Sequence, residues 1–252
     1  MNQISAVGAL AGVACALTLA GTAHAAPIAT NCVDFSTDDN GMVIANGQEI
    51  DGEFFADFTV SGVGAARLAA FDSTPSGPND PSGDEDLLVD LGNVLIIQND
   101  NLLSKTGDIF DTVDDDAGGG AVLFSFNSPV TLESIDLIDI DSSAAVTVTM
   151  TDGNGLTRTY SVPDNWTFDV ESSPLGWDTL DLTSLADQDS EGAGGPATAV
   201  EDFGFDANDV VSLEVDFSGS GALDNVKYVP GPATAAMLAC SGIAAVTRRR
   251  RS

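Results

Sequence analysis

Histidine is almost missing from this chain. The one His in 252 residues is His24, inside an apolar N-terminal stretch. A body without imidazole excludes Ser-His-Asp and Cys-His catalysis and any His-ligated zinc or iron centre. Cysteine is nearly as sparse: Cys15 and Cys240 fall in apolar terminal segments, which leaves Cys32 alone and rules out an internal disulfide. Basic residues are the third shortage, because between residues 26 and 228 all 39 acids face only Arg67, Lys105, Arg158 and Lys227. That imbalance argues against nucleic acid or an anionic membrane surface as partner. Dense carboxylate suits divalent cations or a salty medium that screens self-repulsion, with a solvated acidic surface as the ligand-free alternative.

The termini carry the features the body lacks. An apolar run from Ala6 to Ala20 leads through Gly21 and Thr22 to Ala23-His24-Ala25, the small-x-small form of a signal-peptidase site. Residues 1–25 therefore read as an export signal cut after Ala25, although Met1 to Ser5 hold no Lys or Arg. At the other end VPGPATAAMLACSGIAAVTRRRRS, residues 229–252, places half of the chain's positive charge in the last five residues. The 14 residues from Ala233 to Val246 fall short of the ~20 that span a bilayer comfortably, and arginines resist translocation. The expectation is a short hydrophobic helix that inserts transiently in the membrane.

Val229-Pro230-Gly231-Pro232, an Ala-rich apolar segment and Arg248, Arg249, Arg250 and Arg251, in that order, resemble the PEP-CTERM sorting signal of bacterial exported proteins, which usually reads Val-Pro-Glu-Pro. The resemblance implies a sorting enzyme as partner and a destination at the cell surface or in the extracellular matrix. The body, through NVLIIQND (93–100), DDDAGGGAVLFSF (114–126), SPVTLESIDLIDID (128–141) and GSGALDNVKY (219–228), is similar to the secreted β-sandwich proteins that carry such tails.

Between the termini the pattern is β throughout. VVSLEVDF alternates with period two, Val211, Leu213, Val215 and Phe217 on one face and Ser212, Glu214 and Asp216 on the other. In residues 144–162 two β-rich runs flank Asp152-Gly153-Asn154-Gly155, the strongest hairpin signal in the chain. Further strands are predicted at 32–35, 54–60, 66–71, 93–98, 121–126, 131–140, 166–170 and 222–228, and no segment of the body shows a sustained helical period. About ten short strands joined by Gly/Pro/Asp/Ser-rich connections predict an all-β fold over 26–228: a single antiparallel β-sandwich of jelly-roll or lectin-like type, with a closed barrel as the alternative. Two acidic connections, 73–92 and 99–120, are longer than structure alone requires.

Calcium takes six to eight hard oxygen ligands, so clustered aspartates next to Gly-rich backbone are the pattern to seek. Asp114, Asp115 and Asp116, followed by Ala-Gly-Gly-Gly, fit it without the spacing of an EF-hand or a calcium β-roll. IDLIDID sets Asp136, Asp139 and Asp141 on or just past a strand, where Asp is disfavoured; one site using all three would need a bulge or a strand end near Asp141. LDNV is similar to the last strand of many jelly-roll carbohydrate-binding modules. That resemblance implies a structural calcium shared by Asp224 and a carboxylate of the first strand, here Asp34. For a glycan the useful groups are aromatic faces, and Trp166, Trp177 and Tyr160 are the candidates, with core packing as their other role.

Together these features predict an exported, non-catalytic protein that associates with extracellular polysaccharide or other glycan through calcium-dependent adhesion. Two alternatives stand beside it. One is a glycan-degrading enzyme using paired carboxylates, although no Gly-x-Ser-x-Gly elbow, HExxH helix or phosphate loop is present. The other is a purely structural surface protein.

Overall fold

A computed structural model describes residues 29–52, 55–80, 84–142, 144–167, 176–190 and 192–231. The signal segment 1–25, Pro232, the apolar run 233–246, Arg248 to Arg251 and most of the predicted 166–170 strand lie outside the described residues. Among the described residues the fold is all-β, with one short 3-10 turn at Glu85–Leu87 and no α-helix, and no helix is long and apolar enough to cross a membrane.

Thirteen strands are formed: β1 Asn31–Val33, β2 Phe58–Gly62, β3 Arg67–Asp72, β4 Asn93–Gln98, β5 Lys105–Thr106, β6 Ile109–Phe110, β7 Gly120–Ile138, β8 Val146–Asp152, β9 Thr157–Val162, β10 Trp177–Asp181, β11 Thr198–Glu201, β12 Val210–Phe217 and β13 Ala222–Pro230. Eleven of them join in one antiparallel sheet whose main path is β11-β9-β8-β12-β7-β13-β4-β3, while β5 and β6 form a separate hairpin.

The two strands predicted at 121–126 and 131–140 are one strand of 19 residues. The first half of β7 pairs with β12 and β2, and its second half pairs with β13 and β10. Its junction lies at Asn127-Ser128-Pro129. Pro has no N–H to give a ladder, and there Asn127 instead bonds the Asp57 carbonyl at 2.8 Å, while the β12 register shifts between Val210 and Ser212. The β8–β9 hairpin forms where its turn residues predict it. Asp152 Oδ1 accepts the amides of Asn154 and Leu156 at 2.9 Å, and Gly155 takes the left-handed φ of 81° that the turn requires.

Alternation then decides which side chains are buried together. Val122, Phe124, Phe126, Leu132, Ile135 and Leu137 of β7 meet Val148, Met150, Leu213, Val215, Val226 and Tyr228 in the main core. On the opposite face of β3, β4, β7 and β13 lies a smaller apolar cluster: Phe71, Val94, Ile96, Ile138 and Ala222, covered by Leu87, Phe110 and Val113 from the two long acidic connections. Those connections thus have a packing role, and they bring their carboxylates to this outer face.

Candidate functional site

Across the outer face runs a row of directly opposed residues, Thr179 on β10, Asp136 on β7 and Asp224 on β13. Asp136 is fully provided with donors: Thr179 Oγ1 donates to its Oδ1 at 2.6 Å and Asn225 Nδ2 to its Oδ2 at 2.8 Å. Asp224 has none. It is 0% exposed, and neither of its carboxylate oxygens accepts a hydrogen bond. Burial first, then the charges of Asp136 and Asp34, push its carboxyl up to about 8; the Asn225 amide pulls the other way without reaching either oxygen in hydrogen-bond geometry. No cation is among the groups that act on it.

The local fold explains this crowding. A β-bulge between Asp224 and Lys227, with Asn225 at φ 49°, turns the Asn225 side chain toward Asp136. β1 pairs antiparallel with β13, Val33 opposite Val226, so the first and last strands lie side by side and Asp34 follows directly. Asp34 itself is exposed, its Oδ1 accepting the Ser36 amide at 3.0 Å. Cys32 stands beside it, its thiol donating to Asn225 Oδ1 at 3.4 Å.

A second carboxylate group lies where the long connections meet the strand ends. Ligand-capable oxygens of Asp84, Asp114 and Asp115 all lie within 4.8 Å of one another. Asp115 is 8% exposed and Asp139 6% exposed, and the Ser220 hydroxyl bonds Asp115 Oδ2 and lies 3.1 Å from Asp139 Oδ2. One hydroxyl proton serves only one of two carboxylates. Burial first, then the charges of Asp86 and Asp141, push the Asp139 carboxyl up to about 8. Burial and the charge of Asp114 likewise raise Asp84 to about 7. The charges that raise the carboxyls of Asp84, Asp115 and Asp139 are those of other aspartates.

Several sequence expectations change here. Of Asp114, Asp115 and Asp116, the first two join Asp84, whereas Asp116 closes a turn by accepting the Gly118 amide at 2.8 Å. Asp141 acts on Asp139 through its charge. β7 ends at Ile138 and Asp139 adopts φ 57°, which breaks the alternation that would have carried Asp139 and Asp141 together along a strand. Two of the three aromatic candidates have no face to offer a sugar. Tyr160 is 0% and Trp166 1% exposed; the phenol donates to the Leu182 carbonyl at 2.6 Å and the indole to the Gln188 carbonyl at 3.4 Å. Both fill the core. Trp177 is half-buried against the smaller apolar cluster.

Asp84 and Ser220 are members that the search for clustered aspartates left out, and Asp139, noted in IDLIDID, joins them in place of Asp116. Asp84 stands 30 positions before Asp114, and only the shared covering of the Phe71–Ile96 face brings the two together. At the C-terminal end, Val229 and Pro230 continue β13 opposite Thr131 and Val130, and the Gly231 amide bonds the Pro129 carbonyl at 2.8 Å. The beginning of the Pro-x-Pro segment is therefore part of the sheet. No protein-family model and no curated protein matches this sequence.

Proposed function

We propose that this is an exported, non-catalytic protein of the cell surface or extracellular matrix whose body is a β-sandwich sharing β7 between its two layers, and which associates with polysaccharide with the help of bound calcium. The observation that carries the calcium is Asp224, a fully buried carboxylate without a hydrogen bond, directly opposite Asp136. Buried charges are ordinarily paired or ligate a metal, and two adjacent strand carboxylates, one of them without a hydrogen bond, fit a hard divalent ion that takes oxygen ligands. Asp224 and Asp136 would hold it, with Asp34 at the neighbouring strand end; among the described residues only Asp84, Asp114 and Asp115 bring three ligand oxygens within 4.8 Å of one another. The trio of Asp84, Asp114 and Asp115 offers a second set of oxygens of the same chemistry.

The address rests on the resemblance of the termini: residues 1–25 as a signal removed by signal peptidase, and the Pro-x-Pro, apolar and Arg-rich order of 229–252 as a PEP-CTERM-like tail that holds the chain in the membrane until a sorting enzyme acts. The sandwich is supported by two strand sets, each led by half of β7, that bury one face in a common core.

Retention of the purified protein on immobilised extracellular polysaccharide tests the proposal. Retention in millimolar calcium that is lost in chelator, with the polysaccharide's chain length unchanged, is the expected result. Shortening of the polysaccharide would replace adhesion with glycan degradation. Absence of retention in either buffer would leave a structural role.

A further inference from the structure

A cavity of about 550 Å³ opens at the end of the sheet where the β2–β3 turn meets the segment after β4, with Glu49, Asp51, Arg67, Asp100 and Leu103 around it. Ligand pockets for small molecules fall in the range of roughly 300–1,000 Å³. Its electrostatics differ from those of the rest of the molecule. Of the four basic residues in the body, two converge on one carboxylate here: Lys105 Nζ lies 2.5 Å from Glu49 Oε2 and Arg67 Nη1 lies 3.6 Å from Oε1. The latter contact is ionic but too long for a hydrogen bond, and Oε1 is left without a hydrogen-bond partner.

The position of Glu49 is fixed from two sides. Gln48 bridges to Ile109 of the β5–β6 hairpin and Glu49 to Ala69 of β3, while the Glu49 amide donates to the Asp108 carbonyl at 2.8 Å. Lys105 is committed to Oε2 and also lies over the Phe110 ring, 5.3 Å from its centroid. Arg67 is different: its side chain is 54% exposed and makes only the long contact, so its guanidinium is able to turn toward a ligand oxygen. One wall is nearly free of side chains, being made by Gly62, Gly64, Ala65 and Ala66.

We propose that this cavity binds a neutral, hydroxyl-rich saccharide, an inference that rests on the polysaccharide reading above and gives it a site other than the aromatic residues. Sugar hydroxyls donate to the exposed carboxylates of Asp51 and Asp100 and accept from Arg67, while a C–H face lies on the Gly/Ala wall and Leu103. A uronate or sulfated sugar is disfavoured, since Asp51 and Asp100 repel it and Lys105 is committed to Glu49. A second cavity, of about 420 Å³, makes the contrast plain: Asp34, Asp38, Asp39 and Asp57 line it and no basic residue does.

The test is calorimetric titration of the whole protein, in calcium, with a soluble neutral polysaccharide (a galactomannan and a dextran) and with polygalacturonate. Ala65→Trp, on an exposed turn residue, should block the cavity and remove neutral-glycan binding, and Asp100→Ala and Arg67→Met should each weaken it roughly tenfold, about what losing one or two good hydrogen bonds costs. The melting temperature of each variant, taken in the same buffer, separates lost binding from lost folding. Neutral-glycan binding that survives Ala65→Trp in a folded variant would overturn the cavity and leave the polysaccharide reading standing. Binding of polygalacturonate alone would overturn the neutral class. Failure of the wild type to bind any of the three would overturn both.

Discussion

Asp136 and Asp224 are directly opposed on the antiparallel strands β7 and β13, and the side-chain donors of Thr179 and Asn225 both go to Asp136. Thr179 and Asn225 each bond one of its oxygens, while Asp224, buried to the same depth as the core, receives none. A carboxylate in that position is tolerable in two states, protonated or bound to a cation. The account of this protein turns on that choice.

The first consequence is a pH dependence whose sign is opposite to that of most acidic surfaces. Asp84, Asp139 and Asp224 have carboxyls raised by burial, to about 7, 8 and 8, against roughly 3.9 in an unfolded chain. Between those limits the folded protein holds protons that the unfolded chain has released, so this contribution to stability is full only below roughly pH 3.9 and falls steadily as pH rises to about 8. In chelator the melting temperature should drop by several degrees from pH 5 to pH 8. A melt that climbs over the same interval would show that these groups are ionised and paired by other means.

Calcium and protons compete for the same oxygens. The gain in melting temperature on adding calcium should therefore be larger at pH 8 than at pH 5. Equal gains at both values would point to ions held by exposed carboxylates in place of the raised ones.

Gly231 supplies a prediction about the C-terminal segment. A Cβ on it would stand 2.5 Å from the Pro129 carbonyl oxygen, a backbone atom, because the Gly231 amide is bonded to that same carbonyl. The β7 backbone thus leaves no room for a side chain at this position. Gly231→Glu should destabilise the protein by about 1–3 kcal/mol, read from denaturant unfolding. An unchanged midpoint would show that β13 releases its last residues at little cost.

Tyr160 tests the reassignment of the aromatic residues. Its hydroxyl shares the Leu182 carbonyl with Arg158 Nη1, which lies at 3.0 Å. Tyr160→Phe should cost about 1 kcal/mol, since one donor remains, and should leave glycan affinity untouched. A loss of affinity without a loss of stability would return Tyr160 to a binding role.

Much of the fold was legible because it depends on period. The alternation in VVSLEVDF and the Asp-Gly-Asn-Gly turn each led to β12 and the β8–β9 hairpin with boundaries close to those observed. The adjacency of β1 and β13 was expected only through the resemblance of LDNV. The 19 residues of β7 read as two strands because a proline inside a run ordinarily ends it, and nothing local says that the chain continues into new partners beyond Pro129. β10 and β11 were missed since WDTLD and TAVE are short and polar, and they pair at positions set by the rest of the sheet. For the site, a string of aspartates draws attention to 114–116, but the exposed face that the long connections cover is a tertiary fact, and it selects Asp84 and Asp139 over Asp116. Trp and Tyr side chains read equally well as platform or core; only burial distinguishes them.

The measurement that bears most directly on the central claim is the thermal melt of the wild type and Asp224→Asn at pH 8, each in millimolar calcium and in chelator at matched ionic strength. The wild type should gain several degrees with calcium, since an ion at a hundredfold excess over its Kd stabilises by about 2.7 kcal/mol. Asp224→Asn should lose most of that gain and should melt in chelator no lower than the wild type, because the buried carboxylate is then uncharged. Identical wild-type melts in calcium and chelator would contradict the account and leave Asp224 as a protonated acid within the sheet.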